Sequence, residues 1–95
     1  MKADAIGAIL DGQRGVRRDG SSLILDESVS ATVFAGGSGE LITVPRVCRI
    51  DLGKEFCTLT TVKSEKFFFP PEFIVGLKLE EGLERKKGPP TPGFR

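Results

Sequence analysis

The sequence predicts an all-β protein, a small antiparallel barrel or a strongly bent sheet of five to six strands, with one short helix allowed at a terminus. Three observations favour this fold class. Several runs between residues 21 and 81 alternate apolar and polar side chains, which is typical of strands with one buried face. Short segments rich in Gly or in charge separate these runs. A length of 95 residues suits a single domain.

The first twenty residues carry the least regular pattern. Ile6 and Leu10 recur at helical spacing, whereas Gly7 weakens a helix at that point. We therefore expect residues 1–20 to be an N-terminal segment, either a short helix over about residues 3–11 followed by a basic turn or an extended arm.

Two alternating runs come next, at residues 21–26 and 29–35. The second places Val29, Ala31 and Val33 on one face of a strand. A Gly-rich segment then breaks the pattern, and we interpret it as a flexible hairpin loop.

Residues 41–52 form an apolar run that is too long for one flat strand, because at about 3.3 Å per residue it would span about 40 Å. Pro45 is the expected point of bending, since proline cannot donate to a central ladder. In this run the even-numbered residues are mostly apolar, so alternation places Arg46 on the face that points to the core. We predict a bulge at Pro45–Arg46 that leaves Arg46 at a rim; the alternative is an arginine aimed into a ligand-binding mouth.

Two hairpins complete the predicted sheet. A turn at residues 52–55 would pair Ile50 with Cys57 and place Cys48, Ile50, Cys57 and Leu59 on one face. A turn at residues 63–66 would pair Val62 with Phe67 and place Phe68 on the same face as Cys57 and Leu59. The opposite face would then hold four apolar residues: Phe56, Val62, Phe67 and Phe69.

The C-terminal third is ambiguous between strand and helix over residues 72–83. Alternation places Phe73, Val75, Leu77 and Leu79 on one face, so we favour a final strand that ends in at most one helical turn. Residues 82–95 combine charge with Pro and Gly and are expected to be a disordered tail. The β domain would therefore span residues 21–81.

The residue inventory argues against an enzyme. The chain has no His, so Ser-His-Asp and Cys-His arrangements cannot form. Cys48 and Cys57 are too few for a zinc site, and both fall at core-facing positions where burial keeps a thiol unreactive. We expect no catalytic residue, no metal and no cofactor.

The Phe-rich face carries most of the functional signal. Phe56, Val62, Phe67 and Phe69 would be a second core layer if the termini covered them, and a partner-binding surface if they stayed exposed. We predict a non-catalytic interaction module that acts through protein–protein contact or self-association, with a homo-oligomer as one outcome.

The basic residues suggest two alternative functions. A nucleic-acid-binding barrel would combine the Phe face with Arg14, Arg17, Arg18, Lys63 and Lys66. An anion or nucleotide sensor would use Arg46 or the Arg14/Arg18 pair, because guanidinium groups bind phosphate in a bidentate way. A net charge of +1 makes nucleic acid the less favoured partner. The sequence shows neither a signal-peptide pattern nor an apolar run near the roughly 20 residues that cross a bilayer, so we expect a cytoplasmic protein without membrane contact.

Overall fold

The computed structural model describes residues 2–37 and 39–81. Its one α-helix and seven strands are α1 Ala3–Leu10, β1 Val16–Asp19, β2 Ser22–Leu25, β3 Val29–Gly36, β4 Leu41–Asp51, β5 Cys57–Thr61, β6 Lys66–Phe69 and β7 Ile74–Glu81, with a 3-10 turn at Pro71–Phe73. The strands form a single, strongly curled antiparallel sheet, an open half-barrel, which confirms the predicted fold class. The tail predicted for residues 82–95 lies outside the described residues.

Strand β4 is the centre of the sheet. Val47 pairs with Ala31 of β3 and with Thr61 of β5. Ile50, further along, pairs with Leu23 of β2 and with Leu59 of β5. Because a strand has only two edges, β2 and β3 must lie end to end along one edge of β4, with β5 on the other. Strands β1 and β7 then flank β2 and β3, and β6 flanks β5.

Two irregularities bend β4. Its buried residues Val44, Val47 and Ile50 are three positions apart, whereas a regular strand buries every second residue. The pairing register shifts once between Val44 and Val47 and again between Val47 and Arg49. The first shift confirms the predicted bulge at Pro45–Arg46. The second shift was not predicted. Because of it, Cys48 does not lie on the core-facing side of β4, where alternation had placed it.

The concave side of the sheet holds the core, and α1 lies against it. Ile6 and Leu10 are one turn apart on the helix and are both buried, at 0% and 1% exposure. The expected short N-terminal helix is therefore present. The expected basic turn is shorter than predicted, because Arg17 and Arg18 belong to β1. The fully buried apolar residues are Ile6, Leu10, Leu23, Ala31, Val33, Ala35, Val44, Val47, Ile50, Cys57, Leu59 and Ile74.

The first hairpin differs from its predicted register by two residues. Ile50 pairs with Leu59 instead of Cys57. A shift of two residues keeps every side chain on its own face, so Ile50, Cys57 and Leu59 are buried together as expected. The connection covers residues 52–56, one residue more than predicted. Within it Gly53 passes close to the Phe56 carbonyl oxygen, where a Cβ would lie at 2.5 Å.

The second hairpin differs by an odd number of residues, and this changes which phenylalanines are buried. Cys57 pairs with Phe69 and Leu59 with Phe67, so both phenylalanines lie on the core face. The predicted pairing of Val62 with Phe67 is wrong. A shift by an odd number moves each side chain to the other face. Phe68, which the sequence placed inside, is 60% exposed.

Hydrogen bonds within the turn explain why the β5–β6 register differs from the predicted one. The Thr61 hydroxyl oxygen accepts hydrogen bonds from the backbone N–H groups of Lys63 (3.3 Å) and Glu65 (3.2 Å). Ser64 takes a left-handed backbone conformation with φ 68°. Thr61 thus organises a turn at residues 62–65, one residue earlier than predicted, and this changes the pairing register of β6 on β5.

Strand β7 confirms the favoured strand assignment but not its alternation. Ile74 pairs with Ala35 and is buried, while Gly76 pairs with Phe34, so Val75 is an extra residue in a bulge and is 56% exposed. Leu77 therefore packs against the core as predicted, as does Leu79, whereas Phe73 and Val75 do not. The helical turn precedes the strand instead of ending it.

This register makes a testable prediction about stability. Phe67→Ala should lower the free energy of unfolding by about 2 kcal/mol, because a partly buried aromatic leaves the core. Phe68→Ala should cost roughly 0.5–1 kcal/mol, mainly its edge contact with a neighbouring ring. Urea denaturation of the two variants measures both values. The reverse order would mean that the β5–β6 register is the one first predicted from sequence.

Candidate functional site

The two thiols of the described residues lie in different environments. Cys57 is fully buried, and desolvation raises the pKa of its thiol, which keeps it protonated and unreactive. Cys48 is half-buried and free. Nowhere in residues 2–37 and 39–81 do three His, Cys, Asp or Glu side chains come close enough to share a metal ion.

The structure separates the four residues of the predicted Phe face. Phe67 and Phe69 pack against the core. Phe56 is 51% exposed and Val62 is 57% exposed, but they precede and follow β5, at opposite ends of that strand. The predicted set is therefore not one surface.

A different aromatic pair takes its place. Phe68 packs edge-on against Phe56, with ring centroids 5.8 Å apart and an interplanar angle of 77°. We call these two rings the aromatic pair. Sequence reasoning missed Phe68 because its face depends on the parity of the second hairpin turn.

The aromatic pair lies beside an open strand edge. Among the described residues β6 pairs only with β5, so its outer edge presents backbone N–H and C=O groups without ladder partners. Such an edge is a template for a further strand. The exposed Lys66 at the start of β6 is the one charged residue of this edge strand.

The predicted basic cluster does not converge. Arg17 and Arg18 are consecutive in β1 and point to opposite faces of the sheet. The Arg18 Nε donates to the Gly20 carbonyl oxygen at 3.0 Å, and the guanidinium lies over α1 at Gly7. Arg14 is in the preceding turn. Lys63 and Lys66 are in the β5–β6 hairpin, on the other side of β4 from β1.

Arg46 is exposed and takes a left-handed backbone conformation, with φ 59°. Its carbonyl oxygen accepts a hydrogen bond from the Val62 N–H at 3.0 Å, which ties the bulge to the end of β5. The side chain points away from the core, as the bulge interpretation predicted. It borders a cleft of about 470 Å³.

This cleft, which we call the junction cleft, lies where β2 gives way to β3 opposite the bulges of β4. Its lining is mixed: apolar Leu25, Val29, Pro45 and Val62, polar Ser30, Thr32 and Cys48, and charged Asp26, Glu27, Arg46 and Glu80. Three carboxylates thus accompany a single guanidinium. This balance gives no support to an anion site centred on Arg46.

Comparison with known proteins adds no assignment: no family matches the chain, and neither a curated protein nor a solved structure is similar to it. The only α-helix of the described residues is α1, and it is too short to span a membrane.

Proposed function

We propose that this chain is a non-catalytic interaction module that associates through the outer edge of β6, with the aromatic pair as its apolar anchor and a second copy of the chain as the partner. The observation that carries the proposal is the position of two exposed, mutually packed rings beside a strand edge that has no partner in the described residues. Aromatic residues are enriched among those that dominate binding energy at interfaces.

Backbone pairing would supply the first part of the affinity. A strand added to β6 satisfies the outward N–H and C=O groups, which is the general mode of strand addition in peptide and protein recognition. The added strand also extends the apolar face on which Phe68 lies, because side chains on one face of adjacent strands contact each other.

Charge is compatible with a second copy. In an antiparallel pair of two β6 strands centred on Phe68, Lys66 of each copy lies opposite residue 70 of the other, so no two lysines face each other. The Phe68 rings of the two copies meet at the centre. A net charge of +1 adds little repulsion between molecules.

Sedimentation of the full chain over a wide concentration range tests the proposal. Phe68→Asp should weaken self-association at least about tenfold, because a carboxylate would have to be desolvated at the centre of the interface. The matched control is Leu41→Asp, which changes an exposed leucine of β4 (64% exposed) and should leave association unchanged.

A wild-type protein that stays monomeric at every concentration would overturn self-association. Binding to single-stranded RNA that weakens steeply with salt would instead favour the nucleic-acid alternative, since each neutralised phosphate releases counterions.

A further inference from the structure

One edge of strand β4 is paired along only half of its length. On the first edge β3 pairs with the beginning of β4 and β2 with its end, so two strands lie end to end there. On the second edge β5 pairs with residues 47–51, and no described strand pairs with residues 41–45. The backbone N–H and C=O groups of this stretch that point away from β3 therefore have no ladder partner among the described residues.

This part of the β4 edge lacks the charged side chains with which proteins commonly protect a strand edge. The outer strand β1 reads Val-Arg-Arg-Asp, and the outer strand β7 ends in Lys-Leu-Glu-Glu. Residues 41–44, in contrast, read Leu-Ile-Thr-Val, and Leu41 and Ile42 are 64% and 45% exposed. An uncharged open edge with exposed apolar side chains is suited to receive a further strand.

The unpaired stretch ends at a notch of about 290 Å³ between β4 and the β5–β6 turn. We call it the edge notch. The Val62 N–H donates to the Arg46 carbonyl oxygen at 3.0 Å, which joins the turn to β4 at this point. The apolar lining of the edge notch consists of Val44, Pro45, Val62 and Phe67. An added strand would thus begin against an apolar surface where β5 ends.

Two cations line the edge notch, and neither takes part in an ion pair within the described residues. Arg46 comes from the β4 bulge and Lys63 from the β5–β6 turn. Glu65 is the single acidic residue of the lining, and its carboxylate already accepts a hydrogen bond from the Thr61 hydroxyl at 3.3 Å. In contrast to the junction cleft, the edge notch has more positive than negative groups and is complementary to a carboxylate.

We propose that residues 41–45 bind an extended segment of another protein as an added antiparallel strand, with an acidic residue at the N-terminal end of that segment lying between Arg46 and Lys63. Antiparallel pairing follows the rest of the sheet, in which every described pair is antiparallel. Alternate apolar side chains of the segment pack on Ile42 and Val44, which share the core-facing side of β4. The site uses β4 and not the outer edge of β6, so it goes beyond the proposed self-association.

Fluorescence anisotropy of a labelled synthetic peptide added to the full chain tests the site. The probe is acetyl-Glu-Thr-Val-Thr-Val-Thr-amide with a fluorophore at its C-terminal end; at about 3.3 Å per residue it spans roughly 20 Å, the length of the unpaired stretch with its notch. We expect saturable binding. A probe with Lys in place of Glu should bind at least about tenfold more weakly, because its cation would face Arg46 and Lys63. Absence of saturable binding by the Glu probe would refute the proposed site.

R46Q/K63Q should weaken binding of the Glu probe about tenfold, because the two cations that face its carboxylate are removed. The control R14Q/K54Q makes the same charge change at exposed residues outside the edge notch and should leave binding unchanged. Equal weakening by the two variants would show attraction by net charge alone and contradict the site. Phe68→Asp should bind the probe as the wild type does, so the failure of self-association and the failure of this site are distinguishable.

Two N-methylated probes test whether the peptide binds as a strand. A strand paired along one edge turns every second N–H group towards its partner. One probe is N-methylated at its second, fourth and sixth residues, and the other at its third and fifth. Methylation of the set that faces β4 should abolish binding, whereas methylation of the other set should preserve it. Equal binding by the two probes would mean that side chains alone hold the peptide, and strand addition would be wrong.

Discussion

Ile6→Asp is expected to lower the free energy of unfolding by about 4 kcal/mol or more, since it removes a buried side chain and leaves an unpaired carboxylate in an apolar site. Ile6 has no exposed surface and belongs to the same cluster of buried residues as Leu23 and Ile50 of the sheet. A domain of this size has a total stability of roughly 5–15 kcal/mol, so the loss is a large part of the whole.

Ile9→Asp is the matched control. Ile9 lies on the same helix but is 44% exposed, so the same substitution should cost no more than about 1 kcal/mol. Thermal and urea denaturation of both variants measure the difference. Equal midpoints for Ile6→Asp and the wild type would mean that α1 contributes nothing to the core and that the half-barrel is stable without it.

This prediction concerns the part of the chain that sequence reasoning resolved least. The helical spacing of Ile6 and Leu10 indicates a helix, but this spacing does not show what the helix covers. Which surface the helix covers depends on the curl of the sheet, because the curl creates the concave side that α1 contacts. Strand β1 has no apolar alternation at all, because it reads Val-Arg-Arg-Asp, and only its pairing with β2 identifies it.

Alternation predicted buried faces correctly where strands are regular. In β3 the expected core residues Val29, Ala31 and Val33 are all buried. It failed wherever an extra residue enters a strand, as at Cys48 and Val75, since one inserted residue exchanges the two faces downstream. A bulge next to Pro45 could be anticipated because proline disrupts the ladder; those at Cys48 and Val75 have no such marker.

The candidate site was predicted only in part for the same reason. Phe56 was correctly placed on the outer side, whereas its partner Phe68 was exchanged with Phe67 and Phe69. The register of β6 depends on the hydrogen bonds that the Thr61 hydroxyl accepts within the turn. A threonine at that position is not by itself a sequence signal for these bonds. The junction cleft could not be foreseen either, because its lining comes from β2, β3, β4, β7 and the turns between them.

The turn before β1 provides the second large effect. Gly15 has φ +83°, and a Cβ at this position would lie 2.8 Å and 2.9 Å from the two γ-carbons of Val29. Gly15→Ala should therefore cost about 3 kcal/mol: roughly 1 for the left-handed backbone and about 2 for overpacking. Val29 is 4% exposed and β-branched, so it has little freedom to turn away.

Gly12→Ala separates the two contributions. Gly12 has nearly the same backbone conformation, φ +88°, but a Cβ there would meet no atom within 4 Å. It should cost only the conformational part, about 1 kcal/mol. Denaturation of the two single variants gives the packing contribution by difference. If both cost the same, Val29 does not contact this turn.

A double variant then identifies the contact itself. Combining Gly15→Ala with Val29→Ala removes the γ-carbons that the new methyl group would meet, so the pair should cost less than the sum of the two single variants by about 1–2 kcal/mol. The carbonyl oxygen of Gly15 accepts a hydrogen bond from the Asp26 N–H at 2.8 Å, which holds this turn against the start of the β2–β3 connection. Non-additivity would therefore show that the Gly15 turn is packed directly under the β2–β3 break, where the junction cleft begins.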